Sequence, residues 1–337
     1  MSKICETKYL WRKNYNWNGS RLNIKLDKKF TKFNLMLIDS LKKFSEQIKG
    51  KMIFDYDLKK TNWFNIGGNA KVFFKPQNLK DLINFLKIYG SKEKIFILGA
   101  GSNILIKDKG FDGVVVKLGK EFSNISILPN KTIIAGSASL DKKVAEFAVE
   151  NEVGGLEFLS CIPGTIGGGI RMNSGCFGAE FKDILLSVQA VDRKGNILTI
   201  PSNKIKLDYR VTDLSKDLIF LSASFKGKFK DKNIAKKYME NLKKEKKKTQ
   251  PSKIKTGGST FKNPITQTNE KVWKLIKSSI PANTSFGDAV ISDKHSNFFV
   301  NKNNATYKDM KELIDLVRNK VKEKTGVNLE LEIEIVG

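Results

Sequence analysis

The residue types that most often perform chemistry in proteins are sparse in this sequence. His295 is the only histidine among 337 residues, and no Cys, His or Asp cluster has the spacing of a metal site. Because His295 is the only histidine, no other residue of this type could act as the base of a Ser–His–Asp triad. The sequence therefore disfavours metal catalysis and triad hydrolysis, and we predict no metal.

Arg210 stands out because the chain otherwise uses lysine for positive charge. It is the only arginine between Arg193 and Arg318, and 55 of the 61 basic residues are lysines. This choice favours a role that needs a planar, permanently charged guanidinium. A structural salt bridge is the alternative.

Two other polar segments carry ambiguous signals. Residues 257–264 read Gly-Gly-Ser-Thr-Phe-Lys-Asn-Pro, which taken alone is typical of an ordinary turn. Glu330, Glu332 and Glu334 alternate with apolar residues, so they share one face of a predicted strand. A solvated face is the expectation for these three carboxylates.

A glycine-rich stretch over residues 154–178 is the most distinctive part of the sequence. It holds eight glycines, where average usage of about 7% would give roughly two. Glycine lets the backbone turn through positive φ and approach a ligand closely. Leu, Phe, Ile and Met lie between these glycines, unlike in a flexible linker, so we predict an ordered loop around a large flat or polyanionic ligand.

A second glycine motif, Gly99-Ala100-Gly101-Ser102-Asn103, follows the predicted strand 95–98. The third glycine of a dinucleotide fingerprint is replaced by Ile104, and a short strand follows rather than a helix. The motif therefore does not indicate a Rossmann fold. A compact nest of backbone N–H groups can still hold phosphates.

The net charge of +26 raises the possibility of nucleic-acid binding. Base recognition and bidentate phosphate binding favour arginine, however, and this excess is almost entirely lysine spread along the chain. We therefore predict no nucleic-acid partner, although a basic surface would attract an anionic substrate.

Three cysteines, Cys5, Cys161 and Cys176, are too few and too scattered for a disulfide framework. No apolar run reaches the roughly 18 residues of a membrane span, and the N-terminal residues show no signal peptide. These features predict a cytoplasmic protein without membrane insertion.

The hydrophobic pattern predicts a mixture of helices and strands. Helices are expected at 37–44, 78–89, 142–151, 233–248, 270–277 and 307–324, and strands at 71–76, 95–98, 114–116, 132–135, 184–191, 197–200 and 329–336. We place a domain boundary between residues 228 and 229. Residues 1–35 lack clear periodicity and are expected to be a poorly ordered extension that the fold does not need.

Taken in order, these segments resemble the UDP-N-acetylenolpyruvoylglucosamine reductases, flavoenzymes of peptidoglycan precursor synthesis. The resemblance covers roughly residues 36–337. It rests on residues 61–68 (Thr-Asn-Trp-Phe-Asn-Ile-Gly-Gly), the two glycine motifs, Tyr209-Arg210, residues 258–264, residues 291–298 and the end of the chain, 329–337.

The resemblance implies an α+β fold. A two-subdomain FAD-binding module of the vanillyl-alcohol-oxidase (PCMH) type, residues 36–228, would be followed by an α/β substrate-binding domain, residues 229–337. FAD would be bound non-covalently, and NADPH would reduce it before leaving the cleft to a UDP-sugar enolpyruvyl ether. The family resemblance also favours a monomer.

The site residues follow from the same resemblance. Arg210 and Glu332 would stabilise the intermediate, and Ser259 would protonate the adjacent carbon. Substrate-binding positions are Tyr209, Lys262 and Asn263. Cofactor-binding positions are Gly99, Ala100, Gly101, Ser102, Asn103, Pro163, Gly164, Thr165, Gly168, Asn173 and Gly175. The alternative function is that of another FAD-dependent oxidase or dehydrogenase of the same superfamily.

Overall fold

The computed structural model describes residues 38–251 and 254–337. The chain divides into a first unit, Met1–Ile48, and a second unit, Lys49–Gly337. In the described part of the first unit, a helix runs over 38–45, close to the predicted 37–44. The predicted extension, residues 1–35, lies outside the described residues.

The second unit begins with a four-stranded sheet. Its strands, in spatial order, are Lys51–Asp57, Asn69–Lys75, Phe111–Val116 and Ile95–Ile97. The first pair is antiparallel, and the other neighbours are parallel. Helix Leu79–Tyr89 connects two of these strands, and its buried Leu82, Phe85 and Leu86 follow the spacing of an amphipathic helix.

A five-stranded antiparallel sheet follows. Its spatial order is Ile197–Pro201, Leu185–Val191, Ile219–Phe225, Ile133–Gly136 and Ile125–Ile127. Helices Asp141–Glu150, Ile166–Met172, Phe181–Ile184 and Lys232–Thr249 belong to the same region of the chain. Their apolar residues form one core with those of the sheet.

Helix Lys232–Thr249 lies beyond the predicted boundary at 228/229. Its buried residues Ala235, Met239 and Leu242 nevertheless join the core of the five-stranded sheet. Asp231 caps this helix by accepting hydrogen bonds from the N–H groups of Asn233 and Ile234. The division into 36–228 and 229–337 stays a prediction.

A second core forms around the last part of the chain. Helices Val272–Ser279 and Tyr307–Thr325 pack with a three-stranded sheet of Ser285–Phe286, Ala289–Ile291 and Phe299–Asn301. A reciprocal capping box between Thr306 and Asp309 begins the longer helix, which ends at Gly326 with φ +75°.

The described chain has four further strand pairs, two between distant segments and two within local hairpins. They are Ile104–Ile106 with Glu334–Val336, Val153–Gly154 with Lys228–Phe229, Gly175–Cys176 with Ala179–Glu180, and Leu207–Asp208 with Val211–Thr212. The first pair is parallel and joins the C-terminus to the segment directly after Gly99–Asn103.

The remaining secondary structure consists of single 3-10 turns: Lys59–Thr61, Lys120–Phe122, Glu157–Cys161 and Ser202–Lys204. Within the residues that the structure describes, no helix is both long enough and apolar enough to cross a membrane. The closing strand was predicted over 329–336, but only Glu334–Val336 forms one.

Candidate active site

A cavity of about 660 Å³ opens inside the second unit, between its two larger sheets and its C-terminal core. This volume is within the range of about 300–1,000 Å³ that small-molecule sites occupy. Its wall includes both glycine motifs together with Arg210, Ser259 and Glu332. Residues predicted from five separate parts of the sequence therefore meet at one cavity.

The first glycine motif forms a tight turn at this wall. All of Gly99, Ala100, Gly101, Ser102 and Asn103 line the cavity. Gly101 has φ +69°, and a Cβ there would lie 2.2 Å from the carbonyl oxygen of Thr61. Within the described chain, none of the backbone N–H groups of this turn donates a hydrogen bond to another protein group. The turn is therefore a nest of free donors suited to a diphosphate.

The opposite wall comes from the glycine-rich stretch, where Pro163, Gly164, Thr165, Gly168 and Gly175 line the cavity. Helix Ile166–Met172 begins here, and Oγ1 of Thr165 accepts a hydrogen bond from the N–H of Gly168 at 3.4 Å. A Cβ on Gly99 would lie 2.9 Å from this Oγ1. The two walls thus approach each other as closely as glycine permits.

The first turn of that helix donates to the protein. The N–H groups of Ile166 and Gly167 donate to the carbonyl oxygens of Ser139 and Ser137. Donors without a partner among the described residues are therefore the amides of Gly99–Asn103 and, on the glycine-rich side, only those that precede the helix, at Gly164 and Thr165. The glycine-rich wall contributes shape and close approach more than hydrogen-bond donors.

Unpaired polar atoms mark a further part of the cavity. The hydroxyl of Ser137 and both carboxylate oxygens of Asp141 are buried and have no hydrogen-bond partner among the described residues, yet both residues line the wall. Burial raises the pKa of Asp141 well above its ordinary value. Free amides, unpaired polar atoms and glycines with no room for a Cβ together fit FAD.

Arg210 occupies the turn of the hairpin formed by Leu207–Asp208 and Val211–Thr212. Its backbone adopts φ 59°, a left-handed conformation that costs energy for any residue with a Cβ. Nε–H donates to Oε1 of Glu332 at 2.8 Å, and the two terminal nitrogens donate to the carbonyl oxygens of Asn173 (3.5 Å) and Gly175 (3.3 Å). The glycine-rich loop therefore orients the guanidinium.

Glu332 is held by its backbone as well as by Arg210. Its N–H donates to the carbonyl oxygen of Thr260 at 2.9 Å, and its own carbonyl accepts from Nδ2 of Asn103 at 2.9 Å. Burial raises the pKa of Glu332, and the neighbouring Arg210 partly offsets this. Asn103, predicted to contact the cofactor, thus also fixes the backbone of Glu332.

The expectation of a solvated glutamate face is wrong for Glu332. Its side chain is 15% exposed, against 75% for Glu330 and 49% for Glu334. The strand begins only at Glu334, so the alternation on which the expectation depended does not extend to Glu332.

Ser259 reaches the same wall through backbone pairing. It forms an isolated antiparallel bridge with Phe298, and Phe261 forms one with Leu331. Because Thr260 also accepts the hydrogen bond from Glu332, Ser259 lies one residue from a direct contact with the Glu332 backbone. The structure therefore brings Arg210, Ser259 and Glu332 together at the cavity.

The predicted substrate-binding residues lie next to this group. Tyr209, Lys262 and Asn263 are not part of the cavity wall in the described chain. The hydroxyl of Tyr209 accepts hydrogen bonds from the backbone N–H and Nδ2 of Asn263, both at 3.3 Å. Nζ of Lys262 is 3.6 Å from Oε2 of Glu330.

Asn173 is likewise absent from the wall of the cavity. It is fully buried, and its side chain donates to Glu180 and to the carbonyl oxygen of Asp208 while accepting from the N–H of Lys182. Its side chain connects the glycine-rich loop to the Arg210 hairpin.

His295 also lies outside the wall, with its ring against Phe298 and Trp273.

Several charged residues of the wall escaped the sequence analysis, namely Lys117, Asp141, Arg171 and Lys246. Nζ of Lys117 donates to the carbonyl oxygen of Gly99 at 2.6 Å. Arg171 donates to the carbonyl oxygens of Leu214, Ser215 and Leu218. Scarcity of arginine, the signal that identified Arg210, could also have found Arg171, whereas the lysines are indistinguishable from the many others.

In the described residues no group of three or more His, Cys, Asp or Glu could hold a metal ion.

Comparison with known proteins places these observations in a family. The model of the UDP-N-acetylenolpyruvoylglucosamine reductase C-terminal domain matches residues 250–336, and an FAD binding domain model matches residues 70–201. FAD, with NADPH as the reductant, is thus the cofactor that this family assignment supports.

Relatives with this name span nearly the whole chain. The reductase of Pelagibacter ubique is 63% identical over 301 residues, which cover 89% of this chain and 100% of the relative. That of Rickettsia conorii is 46% identical over 291 residues, covering 86% of this chain and 97% of the relative.

The crystal structure of the Thermus caldophilus reductase has a TM-score of 0.73 at 27% identity, covering 86% of this chain and 100% of that one. This likeness confirms the predicted fold class. Together with the two curated relatives, it shows that the chain belongs to the UDP-N-acetylenolpyruvoylglucosamine reductase family.

Proposed function

We propose that this chain reduces the enolpyruvyl ether of UDP-N-acetylglucosamine to UDP-N-acetylmuramate, using NADPH and non-covalently bound FAD, in the synthesis of peptidoglycan precursors. One observation carries the proposal. Arg210, Ser259 and Glu332 line the same cavity as the free amides of Gly99–Asn103. A nucleotide cradle and a cluster of groups able to stabilise and protonate an anion thus share one enclosed space.

FAD held at Gly99–Asn103 and the glycine-rich stretch would supply the two-electron chemistry that links NADPH to the carbon–carbon double bond of the substrate. Every other requirement of the reaction falls on the protein. Hydride addition to this double bond places negative charge on the carbon that bears the substrate carboxylate and on the oxygens of that carboxylate. The site must therefore hold a cation and donors in place beforehand.

Arg210 meets this requirement by its position. Its guanidinium is fixed by Glu332 and by two carbonyl oxygens, so little reorganisation is needed when charge develops. The low exposure of the pair strengthens its electrostatic effect on a neighbouring anion. Glu332 balances the charge of Arg210 in the resting site and aims the guanidinium.

Ser259 supplies the proton in this proposal. The Oγ–H bond breaks as a C–H bond forms at the carbon adjacent to the one that received hydride, and the serine oxygen regains a proton from solvent. A serine hydroxyl is a weak acid, but the enolate of a carboxylate is basic enough to accept its proton. The antiparallel bridge to Phe298 holds Ser259 at the wall.

The sugar nucleotide is proposed to extend from this group towards Tyr209, Lys262 and Asn263. Contact between Tyr209 and Asn263 joins the Arg210 hairpin to the segment that carries Ser259. A ligand that contacts the hairpin and this segment would therefore depend on the position of each relative to the other. We further propose that the protein works as a cytoplasmic monomer without a nucleic-acid partner.

Two half-reactions test the proposal separately. Purified protein should lose its flavin absorbance when NADPH is added without oxygen, and the absorbance should return when the enolpyruvyl sugar nucleotide follows. Return of colour with oxygen but not with the sugar nucleotide would point to an oxidase. A protein that never binds FAD would contradict the cofactor as well.

A further inference from the structure

Two cysteine side chains meet at the wall of the cavity, and the reaction described above uses neither. Cys161 ends the 3-10 turn Glu157–Cys161, and Cys176 lies in the short strand Gly175–Cys176. Both line the cavity and both are free thiols. The turn that carries Cys161 packs directly against the strand that carries Cys176, and Cys176 packs against the core to which Cys161 belongs, so the two thiols are neighbours.

The charges around the pair favour one thiolate. Lys246, on helix Lys232–Thr249, lies close to both sulfur atoms, and its Nζ donates to the carbonyl oxygen of Cys161. A hydrogen bond from Cys176, helped by Ser160, Lys246 and Lys243, lowers the pKa of Cys161 to about 6. The shared hydrogen bond and burial raise the pKa of Cys176, although Lys246 and Arg210 oppose this. These interactions favour a thiolate at Cys161 over one at Cys176, and a thiolate beside a thiol is the combination that reacts readily with peroxides.

We propose that Cys161 and Cys176 are a redox modification site, which peroxide converts to a disulfide that suppresses reduction of the sugar nucleotide. In the first step the Cys161 sulfur attacks a peroxide oxygen and the O–O bond breaks. Hydroxide leaves and becomes water, and Cys161 becomes a sulfenic acid. In the second step the Cys176 sulfur attacks the Cys161 sulfur, an S–S bond forms and the S–O bond breaks. The thiol proton leaves with the hydroxyl as a second water, so two thiols lose two electrons and one hydrogen peroxide gains them.

The consequence for activity follows from the residue next to Cys176. Gly175 presents its carbonyl oxygen to the guanidinium of Arg210 at 3.3 Å. The backbone at Gly175 is closely packed: it pairs with Glu180, and a Cβ on Gly175 would lie 2.6 Å from the carbonyl oxygen of Ala179. An S–S bond of about 2.05 Å is far shorter than a hydrogen bond between thiols. Closing it displaces Cys176 and with it the carbonyl oxygen that orients Arg210.

This second part of the inference, the loss of activity, rests on the proposed role of Arg210. Formation of the disulfide does not depend on that role, because it requires only the two sulfur atoms and an oxidant. The experiment therefore reads the covalent bond and the activity independently.

The FAD-bound, full-length protein is treated with hydrogen peroxide, excess peroxide is removed, and free thiols are blocked. Digestion without reductant and mass spectrometry then report the peptides that contain Cys161 and Cys176. We expect a linked peptide pair that is two hydrogens lighter than the sum of its parts and that disappears after dithiothreitol. Cys161→Ser and Cys176→Ser prevent the link, and the matched control Cys5→Ser retains it.

Reduction of the sugar nucleotide is measured before peroxide, after it and after dithiothreitol, each protein being compared with itself. In wild type and Cys5→Ser we expect a loss of at least about tenfold that dithiothreitol reverses. The two single variants at the pair should change by less than about twofold.

Unlinked thiols, over-oxidation without a link, or a bond to Cys5 would overturn the modification site. A linked pair with unchanged activity would overturn the proposal that the disulfide displaces the carbonyl oxygen that orients Arg210. A protein that forms the link but never reduces the sugar nucleotide, even untreated, would overturn the proposed function and the control of activity while upholding the modification site.

Discussion

Two parts of the cavity wall, the turn Gly99–Asn103 and the pair Arg210–Glu332, are built on opposite principles. At Gly99–Asn103 the backbone supplies the chemistry: its N–H groups are free, and the side chains are small. At Arg210 and Glu332 the side chains supply it, and each is already paired. A backbone cradle is damaged by added volume, whereas a set of paired side chains is damaged by a change of functional group.

The largest expected effect concerns Ser259→Ala. Removal of the proposed proton donor should lower reduction of the sugar nucleotide by about 10²- to 10⁴-fold. Reduction of the flavin by NADPH should change little, since the proposed role of Ser259 begins only after hydride transfer. Stopped-flow absorbance measures each half-reaction separately.

Ser292→Ala is the matched control, because Ser292 lies outside the cavity wall and its hydroxyl only accepts a hydrogen bond from the N–H of Lys294. Equal loss in both half-reactions for Ser259→Ala would contradict the role in protonation. Such a result would instead indicate damage to the cradle itself.

The next effect concerns Arg210→Lys. A lysine ammonium keeps the charge. It lacks the planar guanidinium whose three nitrogens donate to Glu332 and to the carbonyl oxygens of Asn173 and Gly175. We expect the rate of sugar nucleotide reduction to fall by about 10²-fold, with FAD content unchanged.

Arg193→Lys provides the comparison, since Arg193 forms an ion pair with Asp217 away from the cavity. It should leave the same rate within about twofold. If the Arg210→Lys variant lost FAD instead of reacting more slowly, cofactor binding and catalysis would not be divided between Gly99–Asn103 and the Arg210–Glu332 pair as proposed.

The contrast also explains what the sequence could reveal. The cradle is contiguous, so Gly99–Asn103 could be recognised as a phosphate nest from five neighbouring residues. Most helices are local patterns too: Lys232–Thr249 extends one residue beyond its predicted limits at each end, and Tyr307–Thr325 begins at the predicted residue and ends one residue later. Such features depend on neighbours in sequence.

Features that depend on tertiary pairing were harder to predict. From alternation alone, Glu332 is predicted to lie on a solvated face. Nothing in the neighbouring sequence indicates that Thr260 and Asn103 hold its backbone or that Arg210 holds its side chain. Asp141 resembles any acidic residue in the first turn of a helix, yet it is fully buried and its carboxylate has no hydrogen-bond partner among the residues that the structure describes. Only the family resemblance connected Ser259 and Glu332 to Arg210.

The cradle is tested by Gly101→Ala. A left-handed conformation costs an alanine about 1–2 kcal/mol, and the added Cβ would lie 2.2 Å from a backbone oxygen, so the turn must open. We expect FAD affinity to fall at least about tenfold, measured by titrating flavin-free protein and following flavin fluorescence.

Gly119→Ala is the control, because its Cβ would have no neighbour closer than 4.0 Å and its φ is −101°. Its FAD affinity should be unchanged. A Gly101→Ala protein that binds FAD like wild type would show that the turn is not the site of the diphosphate.

The smallest effect compares the two buried carboxyls of the cavity, of which Glu332 is paired with Arg210 and Asp141 has no partner. Burial raises the pKa of Asp141 well above 3.8, so above pH 3.8 the folded protein holds a proton that the unfolded chain releases. The stability due to this proton is complete below 3.8 and is lost as pH rises through the folded pKa. Asn cannot ionise, and the stability of Asp141→Asn relative to wild type should therefore increase with pH, by at most about 1.4 kcal/mol per unit.

Urea unfolding between about pH 5 and 8, with FAD saturating, measures this difference. Glu332→Gln should show a weaker increase of the same sign, because Arg210 already offsets the effect of burial on the pKa of Glu332. A stability difference for Asp141→Asn that is flat with pH, or that falls, would mean that Asp141 is ionised and paired when FAD is bound. In that case the FAD-binding part of the cavity would also depend on a paired side chain, and the contrast with Arg210 and Glu332 would not hold.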